Sequence, residues 1–294
     1  MLTLFTPTYN RAALLPTLFE SLKKQSNKKF EWLIVDDGST DNTREVIRSF
    51  IEISDFKIIY LYQENQGKHI AINTAINYCS TQYFGTVDSD DYLKDDAIEI
   101  IYEKLEKIWH EKNIIGIASP LEMVDSKKNI LARPNIFAEV TATPIEIGYT
   151  YKIYGEFTLV YKTEIIKKYQ YPHFPGEKFI QESFITNRFD KEYKLLHIPE
   201  SVVIGEYRDD GLTAQRKQLL INNPKGAALV FCEKMNNPNI PFPARKKFVK
   251  NYWDFESINN PSFISKLHKI KNLRLKFFII YYFSSKKINI LLKK

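Results

Sequence analysis

Over the first 118 residues, apolar runs of five or six residues alternate with longer stretches of helical periodicity. Leu2–Thr6, Glu31–Val35, Lys57–Tyr62, Tyr83–Val87 and Ile114–Ala118 read as strands. Between them, helices are predicted from about Arg11 to Lys24, Asp41 to Ile53, Lys68 to Tyr78 and Asp95 to His110. Such alternation predicts an α/β fold, a mostly parallel sheet with helices on both faces. Ligands of that architecture bind beyond the carboxyl ends of the strands. The unusual polar groups lie there: Pro7–Asn10 after the first strand, Asp36–Asp41 after the second and Asp88–Asp91 after the fourth.

Further along, Phe157–Tyr161 and Ser201–Tyr207 are strand-like, Phe179–Phe189 reads as a helix, and a mainly helical region follows from about Gln215. Turn-rich Asn236–Pro243 reads as a hinge or loop. The chain is therefore divided into a domain over 1–214, with a donor half (1–95) and an acceptor half (96–214), then a helical C-terminal region (215–261) and a tail (262–294).

At 294 residues the chain can bury a full core. Two cysteines cannot build a disulfide framework, and the first residues lack a secretory pattern, so a reducing cytosol is expected. The net charge of +7 is unevenly placed: from Ser257 onward there are nine Lys/Arg and no acid, and the remainder is close to neutral. No nucleic-acid-binding pattern accompanies this basic tail, so nucleic acid is not an expected partner. Leu267, Ile270, Leu273, Phe277 and Tyr281 recur there at helical spacing, which a packed terminal helix or an interfacial one would both show. The missing acids and the apolar cluster Phe277–Phe283 favour a helix lying on the membrane surface, since seven residues are far short of the ~20 a bilayer span needs.

Asp36 and Asp37 are adjacent acids at a buried strand end, where they repel unless donors or a cation satisfy them; a uracil or ribose offers such donors. In an extended segment Asp88 and Asp90 point the same way, and paired carboxylates suit Mg²⁺ or Mn²⁺ completed by phosphate oxygens. Lys68 follows Asn65–Gln66–Gly67 at a helix start, where it can meet a diphosphate. Neither a dinucleotide-binding glycine motif nor a P-loop is present, and the five histidines show no metal-ligand spacing; His69 and His110 read as packed or surface residues.

Taken in order, Thr6–Pro7–Thr8–Tyr9–Asn10, Val35–Asp36–Asp37–Gly38–Ser39–Thr40–Asp41, Asn65–Gln66–Gly67–Lys68 with Ala71 and Asn73, and Val87–Asp88–Ser89–Asp90–Asp91 resemble the donor-side motifs of family 2 glycosyltransferases of the GT-A fold. Gly176–Ser183 and Glu206–Thr213 also look like a bacterial subgroup that builds surface glycans. The resemblance implies a UDP-sugar donor. It places Thr6, Pro7, Tyr9, Asn10 and Asp37 at the nucleobase, Asp88 with Ser89 and Lys68 along the ribose and diphosphate, and Asp90 on Mn²⁺ or Mg²⁺. It further implies transfer of one sugar onto a glycan acceptor, since the motif of processive synthases is absent; the basic tail adds the expectation of a peripheral position on the inner face of the cell membrane, which a lipid-linked acceptor would make useful. Many relatives carry Glu-Asp where this chain has Gln181–Glu182–Ser183. An inverting displacement needs a base opposite the leaving group, and Glu182 is assigned that role. In a helix from Phe179 it lies about 200° from Ile180 and Phe184 and so faces the cleft. Glu177 and Asp209 are the alternatives. Rival functions are a sugar-phosphate nucleotidyltransferase, which would need a glycine-rich basic loop that Thr6–Arg11 lacks, and a non-catalytic binding module of the same fold.

Overall fold

The computed structural model of the chain describes residues 1–125, 127, 129–132, 137–189, 192–208 and 211–291. The first half runs β1 (Leu2–Thr8), α1 (Leu15–Lys24), β2 (Phe30–Asp36), α2 (Thr43–Ile53), β3 (Lys57–Tyr62), α3 (Lys68–Tyr78), β4 (Tyr83–Thr86), β5 (Asp91–Leu93), α4 (Ala97–Lys107) and β6 (Ile114–Pro120). Then follow β7 (Glu122–Val124), β8 (Ile130–Ala132), β9 (Val140–Ala142), α5 (Pro144–Tyr149), β10 (Phe157–Lys162), α6 (Thr163–Ile166), α7 (Ser183–Phe189), β11 (Lys194–His197) and β12 (Val203–Glu206). The chain continues as α8 (Leu212–Asn222), α9 (Pro224–Asn236), α10 (Phe242–Ile258), α11 (Phe263–His268) and α12 (Leu273–Leu291).

The large sheet has the order β3-β2-β1-β4-β10-β6-β11-β9. β1, β2, β3 and β4 are parallel, as expected, while β10 runs antiparallel between β4 and β6. Side chains alternate across the sheet. Leu2, Leu4, Trp32 and Ile34 join one core with Leu15, Leu18, Phe19 and Leu22 of α1, whose i, i+3, i+4, i+7 spacing gives one buried stripe. Phe5, Leu33 and Val35 join a second core on the opposite face with Ala71, Ile72, Ala75 and Ile76 of α3. Helices thus cover both faces, and the chain builds outward from β1 to β3 before returning to β4 on β1's other side.

Two predicted features differ. The Ser201–Tyr207 strand is β12, shorter than expected at Val203–Glu206, and it belongs to a second, small sheet, β5-β12-β7-β8. The helix expected from Phe179 starts only at Ser183, because the Lys178 and Phe179 N–H groups donate to Asn223 Oδ1 at 2.6 and 3.1 Å and hold that segment against the α8–α9 junction.

The tail is two helices separated at Lys269–Asn272. Its expected single stripe is divided. Ile270 is buried, whereas Leu273, Phe277 and Tyr281 are 64%, 64% and 74% exposed. The packing face is instead Ile270, Leu275 and Ile279, which enter a third core with Phe231 and Met235 of α9 and Val249, Tyr252 and Trp253 of α10. Truncating a fully buried Leu or Ile to Ala costs about 2–5 kcal/mol. Leu275→Ala and Ile279→Ala are therefore each expected to lower the urea-unfolding free energy by at least about 2 kcal/mol. Losses under about 0.5 kcal/mol for both would show that α12 does not pack on the rest.

Candidate active site

Strand order reverses between β1 and β4, and beyond their carboxyl ends the polar loops meet. Asn10 ties the first loop to the second. Its φ of 52° is one that Asn tolerates, its N–H donates to Ser39 Oγ at 2.9 Å, and its Oδ1 accepts from Thr40 N at 2.8 Å and Asp41 N at 3.3 Å. Tyr9 is exposed and Pro7 half-buried at the open edge. Thr6 is fully buried, and its hydroxyl accepts from Trp32 Nε1 at 2.9 Å, so its side chain serves the core and not a ligand. Its neighbour Thr8, which the residue-type argument passed over, keeps a buried hydroxyl at the end of β1 with no hydrogen-bond partner among the described residues.

The donors that Asp36 and Asp37 need come from the chain itself. Asp36 accepts from Ser39 N and the Tyr60 hydroxyl, both at 2.8 Å. Asp37 accepts from Gln63 Nε2 at 2.7 Å, Gln66 N at 2.9 Å and Gly67 N at 2.7 Å. Asp37 therefore fixes the loop that ends at Gly67. That residue has φ 93°, and a Cβ there would lie 1.9 Å from the Lys178 carbonyl oxygen. Only glycine permits this approach.

Lys68 then begins α3 with its ammonium between two carboxylates, 2.7 Å from Asp88 Oδ2 and 2.5 Å from Glu182 Oε1. Burial opposes its charge, but Asp88 and Glu182 outweigh burial and raise its pKa. Asp88–Asp91 is a turn closed by Asp91 N donating to Asp88 O at 3.1 Å, not the extended segment expected. The turn still gathers its carboxylates, and with them Asp91. Burial, then Asp88, raises the pKa of Asp90; burial, then Asp88 and Asp90, pushes Asp91 up to about 9. Ser89 is buried within the turn, and Asp88 Oδ1 is buried without a hydrogen-bond partner among the described residues.

Glu182 lies just before α7 with its side chain 60% exposed, so its access to the cleft comes from the loop and not from a helix face. Glu177 is excluded as a base: it is buried and accepts from Lys225 N and Gly226 N, both at 2.8 Å, at the start of α9. Asp209 lies outside the described residues. Lys68, Asp88, Asp91 and Glu182 line one cleft of about 740 Å³, floored by Thr158, Tyr161 and Tyr171.

Residues 3–169 match the family described as glycosyl transferase family 2, more than half of the chain. The chain belongs to glycosyl transferase family 2. The resemblance carried by the motifs is thereby met. Among family 2 relatives, glycosyltransferase GlyA of Streptococcus pneumoniae is 38% identical over 104 residues, 35% of this chain and 15% of that protein. The putative teichuronic acid biosynthesis glycosyltransferase TuaG of Bacillus subtilis is 34% identical over 100 residues, 34% of this chain and 39% of that protein. The chain thus spans well under two thirds of these relatives. Among solved structures, Staphylococcus aureus TarS 1-349 in complex with UDP-GlcNAc aligns with TM-score 0.61 at 15% identity, over 93% of this chain and 82% of that one. The mannosyltransferase PcManGT of Pyrobaculum calidifontis, in complex with GDP-Man and Mn²⁺, aligns with TM-score 0.57 at 16% identity, over 89% and 76%. These likenesses establish the GT-A fold.

Two buried histidines border the cleft. Burial, then His173, holds His69 down to about 4, and burial holds His197 down to about 4. Between pH 6.5 and 4 the unfolded chain binds protons that these folded imidazoles refuse, so their contribution makes stability fall as pH falls through that window. Asp91, with its pKa raised, acts in the opposite sense. Comparing wild type with His197→Phe cancels that term. The variant's unfolding free energy is expected to fall less between pH 7 and pH 4 by up to roughly 3 kcal/mol. Identical pH dependence in urea unfolding would mean that His197 titrates freely in the folded state.

Proposed function

We propose that this chain is an inverting, metal-dependent transferase that moves one sugar from a UDP-sugar onto an acceptor hydroxyl of a bacterial surface glycan. The observation that carries this reading is the Asp88–Asp91 turn at the strand-order switch, joined through Lys68 to Glu182 on the opposite wall. Three carboxylates within four residues, one with a buried unpartnered oxygen and two pushed toward the neutral form, are a charge surplus that a divalent cation would balance. Among the described residues no three Asp, Glu, His or Cys side chains converge as a metal cluster, so the protein would supply part of the shell and diphosphate oxygens the rest. Asp90 and Asp88 would hold Mn²⁺ or Mg²⁺, and Asp91 stands beside them. Such an ion offsets charge on the departing diphosphate as a Lewis acid. Names of relatives and neighbours that include UDP-GlcNAc and teichuronic acid biosynthesis support the donor and glycan classes.

Glu182 takes the acceptor proton as the acceptor oxygen bonds to the anomeric carbon and the bond to UDP breaks. In this structure Lys68 neutralises Glu182. A donor diphosphate would compete for that ammonium and release the carboxylate as a base. Glu182→Gln, which keeps shape and removes basicity, is expected to retain UDP-sugar affinity while transfer falls roughly 10²–10⁴-fold. EDTA or Asp90→Ala is expected to cost roughly 10²–10³ in rate. Near-wild-type transfer by Glu182→Gln would reject the base, and full activity of both metal-deprived forms would reject the metal.

A peripheral position on the inner face of the cell membrane is the companion proposal. No helix among the described residues is long and apolar enough to cross a bilayer. Yet α11 and α12 expose Phe263, Ile264, Leu273, Phe277 and Tyr281 beside exposed Lys271 and Arg274. Each cation near an anionic surface contributes about 1 kcal/mol. Phe277→Glu/Tyr281→Glu leaves the packing face intact and is expected to weaken binding to phosphatidylglycerol vesicles at least about tenfold. Unchanged sedimentation with those vesicles would refute the membrane contact.

A further inference from the structure

Next to Gln181 and Glu182, the wall of the cleft becomes cationic. Arg216 of α8 and Lys234 of α9 line the same cavity as Lys68, Asp88 and Glu182. The Gln181 amide, oriented with its oxygen toward the guanidinium, accepts from Arg216 Nε at 3.1 Å and Nη2 at 2.8 Å. Gln181 is neutral, so this contact aims the guanidinium without offsetting its charge. The Lys234 ammonium sits 5.7 Å from the centre of the Phe248 ring. Among the described residues neither cation has a carboxylate within ion-pair distance, although neighbouring Arg188 is paired with Glu233 at 2.8 Å. Arg216 is exposed and Lys234 half-buried, so burial penalises the lysine while the two like charges repel one another, and an anion held between them relieves both effects.

We propose that Arg216 and Lys234 form an anion subsite for an acidic group carried by the acceptor, a phosphodiester or a uronate carboxylate. This rests on the reading of the cleft given above and names its substrate class. Arg216 reaches the cleft through Gln181, which is bonded to Glu182, so the subsite lies beside the proposed base. The donor diphosphate belongs at Lys68 and the Asp88–Asp91 turn. Burial, followed by the nearby Arg216 charge, pushes Lys234 down to about 8, in keeping with a cation that lacks its counter-ion. A planar guanidinium recognises carboxylate and phosphate oxygens in bidentate fashion, and the lysine adds a point charge.

The test uses the full chain without nucleotide and three probes: glycerophosphoglycerol, methyl β-D-glucuronide and neutral methyl β-D-glucoside, with binding read by saturation-transfer NMR. One of the two acidic probes is expected to bind at least about tenfold more tightly than the neutral one, the size of one contact worth about 1.4 kcal/mol. Whichever acidic probe binds identifies the source of the anion. Arg216→Gln and Lys234→Met should each weaken that probe by about tenfold. Lys234→Arg, which keeps the charge, should retain binding, and Lys217→Met, which removes an exposed cation of the same helix, should change nothing. Equal binding of acidic and neutral probes, or equal loss in Lys217→Met, would overturn the subsite. Displacement of the acidic probe by UDP with Mn²⁺ would overturn it too, by assigning the two cations to the donor. Failure of UDP to bind wild type would instead strike the donor reading and leave the probe result standing.

Discussion

The ammonium of Lys68, shared between Asp88 and Glu182, is the contact on which the arrangement of the cleft depends. Asp88 follows β4 in the N-terminal half, and Glu182 precedes α7 more than ninety residues later. A buried lysine is stable only where carboxylates compensate it, and carboxylates crowded as at Asp88–Asp91 are stable only where a cation compensates them. Each requirement answers the other. The position of Lys68 is in turn dictated by backbone: Asp37 binds the Gln66 and Gly67 N–H groups, and Gly67 turns the chain into α3 where any side chain would strike Lys178.

The opposite wall is held by the C-terminal helices. Glu177 accepts from the first N–H groups of α9, where a carboxylate also complements the helix dipole, and Asn223 accepts from Lys178 and Phe179. Gly226 admits the Phe179 carbonyl, 2.8 Å from where its Cβ would stand. Helices that read from sequence as an appendage therefore brace the segment carrying Gln181 and Glu182. Acids that look alike in sequence divide by what fills their lone pairs. Asp36, Asp37 and Glu177 accept from donors of the chain and hold loops, whereas Asp88, Asp90 and Asp91 crowd one turn with Lys68 as the ammonium against Asp88.

The first four strands and their helices were legible because their signal is local: one stripe per helix and one apolar run per strand. The strand-end position of the polar loops followed from the same alternation. Long-range pairing was not legible. Strands β5 and β7 have three residues each and find their partner in β12 more than eighty residues away, a relation that no periodicity records. The late start of α7 depends on Asn223, some forty residues further on. Thr6 looked like a ligand contact because its motif is one, yet alternation along β1 turns its side chain to Trp32; that strand parity was available in the sequence. In the tail, helical spacing marked an apolar stripe but could not say that the chain breaks at Lys269, which moves the packed face to Ile270, Leu275 and Ile279.

The electrostatics of the cleft impose an order on the proposed reaction. Lys68 pairs with Glu182, and in the proposed reaction that ion pair must open before the carboxylate can reach the acceptor hydroxyl. A donor diphosphate would bring negative charge to the Asp88–Asp91 turn, where Asp88 and Asp90 would hold a divalent cation that offsets the repulsion and Lys68 would be the ammonium at hand for the phosphates. In the proposed reaction Lys68 would exchange Glu182 for the phosphates once the donor is held, which leaves that carboxylate free to take the acceptor's proton.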